Sequence, residues 1–206
     1  AERDAVQRLR DACLRVGGTC LETNEAVITK VTRKDNPQAV VAAFPIQVGT
    51  LDDIKPTGTD IYIALDRIRD PGNLGTIIRT ADCVGAVGLI LCGDCCDPFS
   101  VEAVRASMGS IFNVRIFRCT EHELVSFGKK WPGQMVGTSP AGETDYRHFV
   151  HAGPTLVVFG NEQSGMADEI AEACTRVLRI PIFGKADSLN ISIAAGVILY
   201  AVKHTA

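Results

Sequence analysis

Apolar residues recur along this chain in short unbroken blocks separated by longer amphipathic stretches, and the alternation becomes regular from Ile61 onward. Blocks at 61–65, 87–91, 113–117, 135–138, 156–159 and 177–180 are strand-like and nearly continuous rather than alternating, as expected for strands covered on both faces. Stretches 74–84, 101–108, 121–129, 167–174 and 189–204 carry their apolar positions at helical spacing. Strands separated by helices predict an α/β fold with a mostly parallel sheet. In such sheets ligands bind beyond the carboxyl ends of the strands, so the loops that leave those ends are where chemistry is expected.

The pattern before Pro45 is different. Val6, Leu9, Cys13 and Val16 fall at helical spacing with Arg8, Arg10 and Arg15 among them, and Gly17-Gly18 ends the run. Positions 19–22 read as a short strand, 25–33 as a second helix and 39–44, after Pro37, as an apolar β-type run. This β/α string is too short for an ordinary domain and reads as the tail of one.

The 206 residues suffice for one α/β domain with a core of its own and a fragment of another. The net charge of −3 gives no global basic field, so any contact with nucleic acid has to come from a local patch. There is no leader-like start and no apolar run of bilayer length, which leads to the expectation of a cytoplasmic protein. Of the eight cysteines, Cys92, Cys95 and Cys96 cluster. No paired knuckle completes them, so no metal site is expected and the thiols read as small core hydrophobes in a reducing compartment.

Three loops hold unusual polar sequence. In Asp66-Arg67-Ile68-Arg69-Asp70-Pro71-Gly72-Asn73-Leu74, Pro71-Gly72 turns the chain into a helix that carries Arg79 six residues beyond Asn73, placed to lean back toward the loop and take a phosphate. A capping asparagine and a solvated arginine explain the same residues. Phe159-Gly160-Asn161-Glu162-Gln163-Ser164-Gly165-Met166 permits a backbone nest facing a ligand, or a tight turn. In Ile180-Pro181-Ile182-Phe183-Gly184-Lys185-Ala186-Asp187-Ser188-Leu189-Asn190-Ile191-Ser192, Asp187 or Ser188 is placed to cap the last helix. That helix is apolar on nearly all sides and has to be buried all round, by the sheet and by a partner surface.

Taken in order, the three loops resemble the three sequence motifs of the SpoU family of RNA ribose 2′-O-methyltransferases, within the SPOUT superfamily. Asp97-Pro98-Phe99-Ser100 and the stretch from Val104 to Phe112 resemble the family between its first two motifs. The resemblance covers about residues 61–202. It implies a parallel sheet whose C-terminal part is tied into a deep trefoil knot, a feature that the ordinary rules of chain topology argue against. It also implies a homodimer formed through the knotted domain, with S-adenosylmethionine held in the knot largely by backbone groups. By matching position, Thr138, Gly160, Ile180, Ser188 and Leu189 are the cofactor-binding residues, and Asn73, Arg79, Glu162, Ser188 and Asn190 the catalytic ones. Family models give the arginine a proton-abstracting role. A guanidinium stays protonated in proteins, so the physical expectation is that Arg79 holds a phosphate and stabilises developing alkoxide charge. Gln163 stands where many members have Gly, and Ile182 where many have Met.

In many such enzymes a small domain resembling ribosomal protein L30e precedes the catalytic one and binds RNA. Residues 1–46 resemble its C-terminal portion, where Arg3, Arg8, Arg10, Arg15, Lys30, Arg33 and Lys34 fit an RNA-facing role or, equally, a solvated helix face, and residues 47–206 resemble the methyltransferase domain. The implied activity is methyl transfer to a ribose 2′-hydroxyl of structured RNA, ribosomal RNA of the 23S type ahead of transfer RNA. A catalytically silent RNA-binding module of the same fold is the alternative. A nucleotide-binding oxidoreductase is remote, because the Gly-x-Gly-x-x-Gly fingerprint is absent.

Overall fold

A computed structural model describes residues 2–205, with side chains from residue 4 onward. The chain divides into two compact units, Ala1–Ile46 and Gln47–Ala206. The first holds α1 (Glu2–Arg15) and α2 (Glu25–Thr32). Asn24 caps α2, its side chain accepting a hydrogen bond from the Val27 amide at 3.1 Å. The strands expected at 19–22 and 39–44 do not form. A strand exists only as part of a sheet, and among the described residues neither segment joins one, so a favourable composition alone does not make a strand there.

The second unit is an α/β sheet with seven strands among the described residues. In chain order its elements are β1 (Ile61–Asp66), α3 (Pro71–Cys83), β2 (Gly88–Cys92), α4 (Val101–Ser107), β3 (Arg115–Cys119), α5 (Glu121–Gly128), β4 (Gln134–Thr138), β5 (Thr144–Asp145), β6 (Thr155–Phe159), α6 (Asp168–Ala173), β7 (Arg176–Arg179) and α7 (Ile191–His204). The strands run parallel in the order β3-β2-β1-β6-β4-β7-β5. The expected strands and helices fall within a few residues of these bounds. The addition is β5, two residues with no apolar signal.

Strand periodicity sorts the core into two layers. Ile61, Ile63 and Leu65 of β1 join Leu74, Ile77 and Ile78 of α3 and Ile191, Ala195, Ile198 and Leu199 of α7. Tyr62 and Ala64 point the other way and join Leu124 of α5 and Ile170 of α6. Both faces are thus covered, which is why the strand sequences read as continuous apolar blocks.

The placement of β7 is unusual. It lies between β4 and β5, which are consecutive in the chain: Leu178 is in register with Thr138 on one side and Thr144 on the other. Residues 139–143 therefore cross directly over β7. Gly142 makes the crossing possible, since a Cβ there would sit 2.7 Å from the Val177 carbonyl oxygen and 2.8 Å from the Leu178 carbonyl. No helix among the described residues is long and apolar enough to cross a membrane.

Candidate active site

The carboxyl ends of β1, β4, β6 and β7 open onto one cleft of about 1060 Å³. Its walls come from the loops after those strands and from the first turn of α7. Thr138, Gly160, Ile180, Ser188 and Leu189 all line it, as do Asn73, Glu162 and Asn190. Phe159, Leu178, Ile191 and Ala194 add apolar surface that the loop motifs alone did not single out. Their signal was present only as membership of the strand and helix cores.

Each polar residue is positioned by local chain chemistry. Asp70, not Asn73, caps α3: its Oδ1 accepts from the Asn73 amide at 2.6 Å, with Pro71 in the first helical turn. The Asn73 side chain is thereby released to face the other loops. Asn190, rather than Asp187 or Ser188, caps α7, its Oδ1 accepting from the Ser192 amide at 2.9 Å and the Ser192 hydroxyl at 2.6 Å. The Nδ2 of Asn190 donates to Asn73 Oδ1 at 3.0 Å, and Asn73 Nδ2 makes a longer approach of 3.5 Å to Glu162 Oε1. Three loops remote in sequence thus meet in one hydrogen-bonded row at the lip of the cleft.

In the loop after β6 the hydrogen bonds choose between the two readings left open for it. Asn161 Oδ1 accepts from the amides of Gln163 and Ser164 at 2.9 and 3.0 Å, and Asn161 and Gly165 exchange backbone bonds across the turn. Those amides are consumed inside the loop, so it is a tight turn that holds Glu162 outward rather than a ligand-facing nest. Its base is anchored by Asp66 and Arg67. Asp66, almost fully buried, takes a two-pronged hydrogen bond from Arg67 at 2.8 and 2.9 Å and one from the Ala167 amide at 2.9 Å. Asn161 Nδ2 donates to the Arg67 carbonyl at 2.8 Å. Arg67, held above its ordinary pKa by the bonds to Asp66, sits in the left-handed region at φ 54°. Nothing in the spacing of the motifs marked it.

Arg79 is not part of this cleft. It is exposed on α3, and no described residue forms an ion pair with it. Six residues along a helix turn a side chain through roughly 240° and carry it about 9 Å from the loop, which is the wrong side for leaning back toward Asn73. The cysteine cluster lies behind the cleft as core: Cys92 is buried, and burial pushes the Cys96 thiol up to about 11.

The model of the SpoU rRNA Methylase family matches residues 60–200, the stretch that builds the sheet and every wall of the cleft. The chain belongs to the SpoU rRNA methylase family. Among solved structures, this SpoU chain is similar to the AdoMet-bound rRNA methyltransferase from Sinorhizobium meliloti, with 45% identity, a TM-score of 0.92, and coverage of 97% of this chain and 77% of that one. It is 34% identical over 174 residues to the 23S rRNA (uridine(2479)-2′-O)-methyltransferase of Streptomyces viridochromogenes, covering 82% of this chain. It is 28% identical over 190 residues to a 23S rRNA (guanosine(2553)-2′-O)-methyltransferase of Bacillus subtilis, covering 92% of this chain. The SpoU chain spans 61% of the length of the Streptomyces relative and 75% of the Bacillus one.

Proposed function

We propose that the protein transfers a methyl group from S-adenosylmethionine to a ribose 2′-hydroxyl of RNA, with ribosomal RNA as its substrate. The observation that carries this reading is the Asn73–Asn190 and Asn73–Glu162 row at the lip of a cleft that Thr138, Gly160, Leu178 and Ile180 also line. Similarity to an AdoMet-bound enzyme and to two 23S rRNA 2′-O-methyltransferases supports it.

The cleft fits the cofactor. Leu178, Ile180, Leu189 and Ala194 give apolar surface for the adenine, and the chain at Thr138 and Gly160 gives backbone groups for polar atoms. Bound there, S-adenosylmethionine would supply an electrophilic methyl on a sulfonium. The residues of this chain do the rest. Displacement at that methyl is in line, so the ribose oxygen has to be held within reach and in alignment, which is the task given to Asn73, Asn190 and Ser188. Glu162 polarises the amide of Asn73 and fixes its orientation. The hydroxyl proton leaves to solvent as the bond forms, and Arg79, which stays charged, offsets the developing negative charge and holds the adjacent phosphate.

Arg79 lies outside its own cleft, and this is reconciled by a homodimer. Ile193 and Tyr200 on α7 are more than half exposed (57% and 56%), on the part of the helix that the sheet leaves uncovered and for which a partner surface was expected. A second copy packed on that face would complete the burial and receive Arg79 at its own cleft. The insertion of β7 under the 139–143 crossing supports a trefoil knot here, and residues 1–46 are read as the end of an L30e-like RNA-binding domain.

The deciding experiment incubates the protein with labelled S-adenosylmethionine and separated 23S, 16S and transfer RNA, then maps the label by nucleotide. Ribose label on 23S RNA is the expected result. Label on a base overturns the reaction assigned, and label on transfer RNA alone overturns the substrate.

A further inference from the structure

Phe183 is 90% exposed, and no large apolar side chain among the described residues is more so. Its neighbours in the chain do not bury it: Gly184 has open space around it, and Pro181 stiffens the approach. Ile182, the preceding residue, lines the cleft, and Phe183 does not, so Phe183 follows directly on the cleft wall without being part of it. Two exposed cations, Arg179 and Lys185, lie four residues before it and two residues after it in the chain, without an ion-pair partner among the described residues. The one carboxylate in the segment, Asp187, faces the cleft.

We propose that Phe183, with Arg179 and Lys185, is a stacking platform at the rim of the cleft for an unpaired RNA base next to the nucleotide being methylated. This rests on the reading of the cleft as the methyl-transfer site. A ribose hydroxyl held at Asn73 and Asn190 belongs to a nucleotide drawn out of its helical stack, and its neighbour then loses a stacking face. An aromatic ring between two cations replaces that face and neutralises the phosphates on either side, the usual chemistry of single-stranded RNA recognition. Alternating cations also disfavour a second copy of this chain as the occupant. A two-fold contact through Phe183 would bring Arg179 and Lys185 of both copies together. Phe183 is thus a specificity-determining residue, distinct from the groups that align the reacting oxygen.

The test compares wild type with Phe183→Ala, Phe183→Trp and the double variant Arg179→Ala/Lys185→Ala on an unmodified 23S RNA transcript. Phe183→Ala should raise the KM for RNA on the order of ten-fold with kcat largely kept, and Phe183→Trp should restore it. The double variant should flatten the salt dependence of binding by about 1.4 in log–log slope. S-adenosylmethionine affinity by calorimetry and the sedimentation coefficient should not move. An unchanged KM, weaker cofactor binding, or a change in oligomeric state each overturns the proposal, the second by making the segment a cofactor lid and the third by making it a protein interface. Photocrosslinking to a single-stranded 4-thiouridine RNA gives a readout independent of turnover. If wild type methylates no RNA, the proposed function falls, while a crosslink at Phe183 or its absence still decides this inference.

Discussion

Asn190 Nδ2 donates to Asn73 Oδ1 across 3.0 Å, joining residues 117 positions apart in the chain. The same Asn190 caps α7 through its Oδ1. One side chain thus does two jobs with two different atoms, and the jobs can be separated by substitution. Asn190→Asp keeps an oxygen for the Ser192 amide but loses the donor to Asn73. It should melt close to wild type and lose methyl transfer on the order of 100-fold. Asn190→Ala loses both, with a further destabilisation of about 1 kcal/mol from the missing cap. Thermal denaturation beside a single-turnover methylation assay checks both, and full activity in Asn190→Asp would remove Asn73–Asn190 from the alignment of the ribose.

Arg79 is exposed and unpaired among the described residues, so Arg79→Ala should leave the melting temperature within the small range of surface substitutions, about 0.5 kcal/mol. Its methyl-transfer rate should fall by roughly 10²–10³ through loss of transition-state charge stabilisation. If Arg79 serves the cleft of a second copy, an inactive Arg79→Ala protein mixed with an inactive Asn190→Asp protein should regain activity after subunit exchange. One cleft in the mixed dimer then has every residue intact. No recovery in a mixture shown to exchange would place Arg79 in its own cleft or remove its role.

The sequence carried the sheet well because burial on both faces writes each strand as an apolar block, visible without knowing its neighbours. What depended on a distant partner was not visible. β5 has only Thr144 and Asp145 and is a strand solely because β7 lies beside it. Conversely, 19–22 and 39–44 have strand composition and join no sheet among the described residues. The three polar loops were legible as a site, and eight of the nine residues singled out in them and in β4 line one cleft. The division of labour within each loop was not, since Asp70, Asn161 and Asn190 are all good turn and cap formers, and only the folded geometry says which side chain is spent on its own backbone.

Asp66 is the buried anchor of the loop that carries Glu162. Asp66→Ala would leave Arg67 with Glu121, at 3.6 Å, as its remaining carboxylate and the Ala167 amide without an acceptor. The expected cost is about 3 kcal/mol or more, read as a lower denaturant midpoint. Asp66→Asn restores an acceptor but not the charge and should fall between. Cofactor affinity should weaken in both, because the turn at Gly160 to Gly165 loses its base. A destabilised protein with unchanged cofactor affinity would show that this loop is held by other contacts.

Gly142 is where residues 139–143 pass over β7. A methyl at this position meets backbone carbonyls on β7 rather than a side chain that can swing away. Gly142→Ala should therefore cost about 1–3 kcal/mol, more than a loop glycine ordinarily would. Gly153→Ala makes a useful comparison, since nothing lies near its Cβ position and only its φ of 71° opposes the change. Equal melting temperatures for the two variants would argue that the crossing is looser than the register of β7 implies.

His151 is only 6% exposed, and neither ring nitrogen has a hydrogen-bond partner among the described residues. Burial holds its pKa below the ordinary value of 6.5, partly opposed by the Gly153 backbone, and the nearby Lys203 ammonium adds to the lowering. The unfolded chain therefore takes up a proton as pH falls through about 6.5 while the folded chain does not, so the folded state loses stability toward acid. This loss should set in below about pH 6.5 with a slope of at most about 1.4 kcal/mol per pH unit, and end once the folded pKa is passed. His151→Leu removes the titrating group and leaves no buried nitrogen unsatisfied. Its denaturant midpoint at neutral pH should be close to that of wild type, and the difference between pH 7 and pH 5 should shrink. An identical pH dependence in the two proteins would mean that His151 is protonated in the fold as readily as in the unfolded chain, and that its burial does not govern the acid limb.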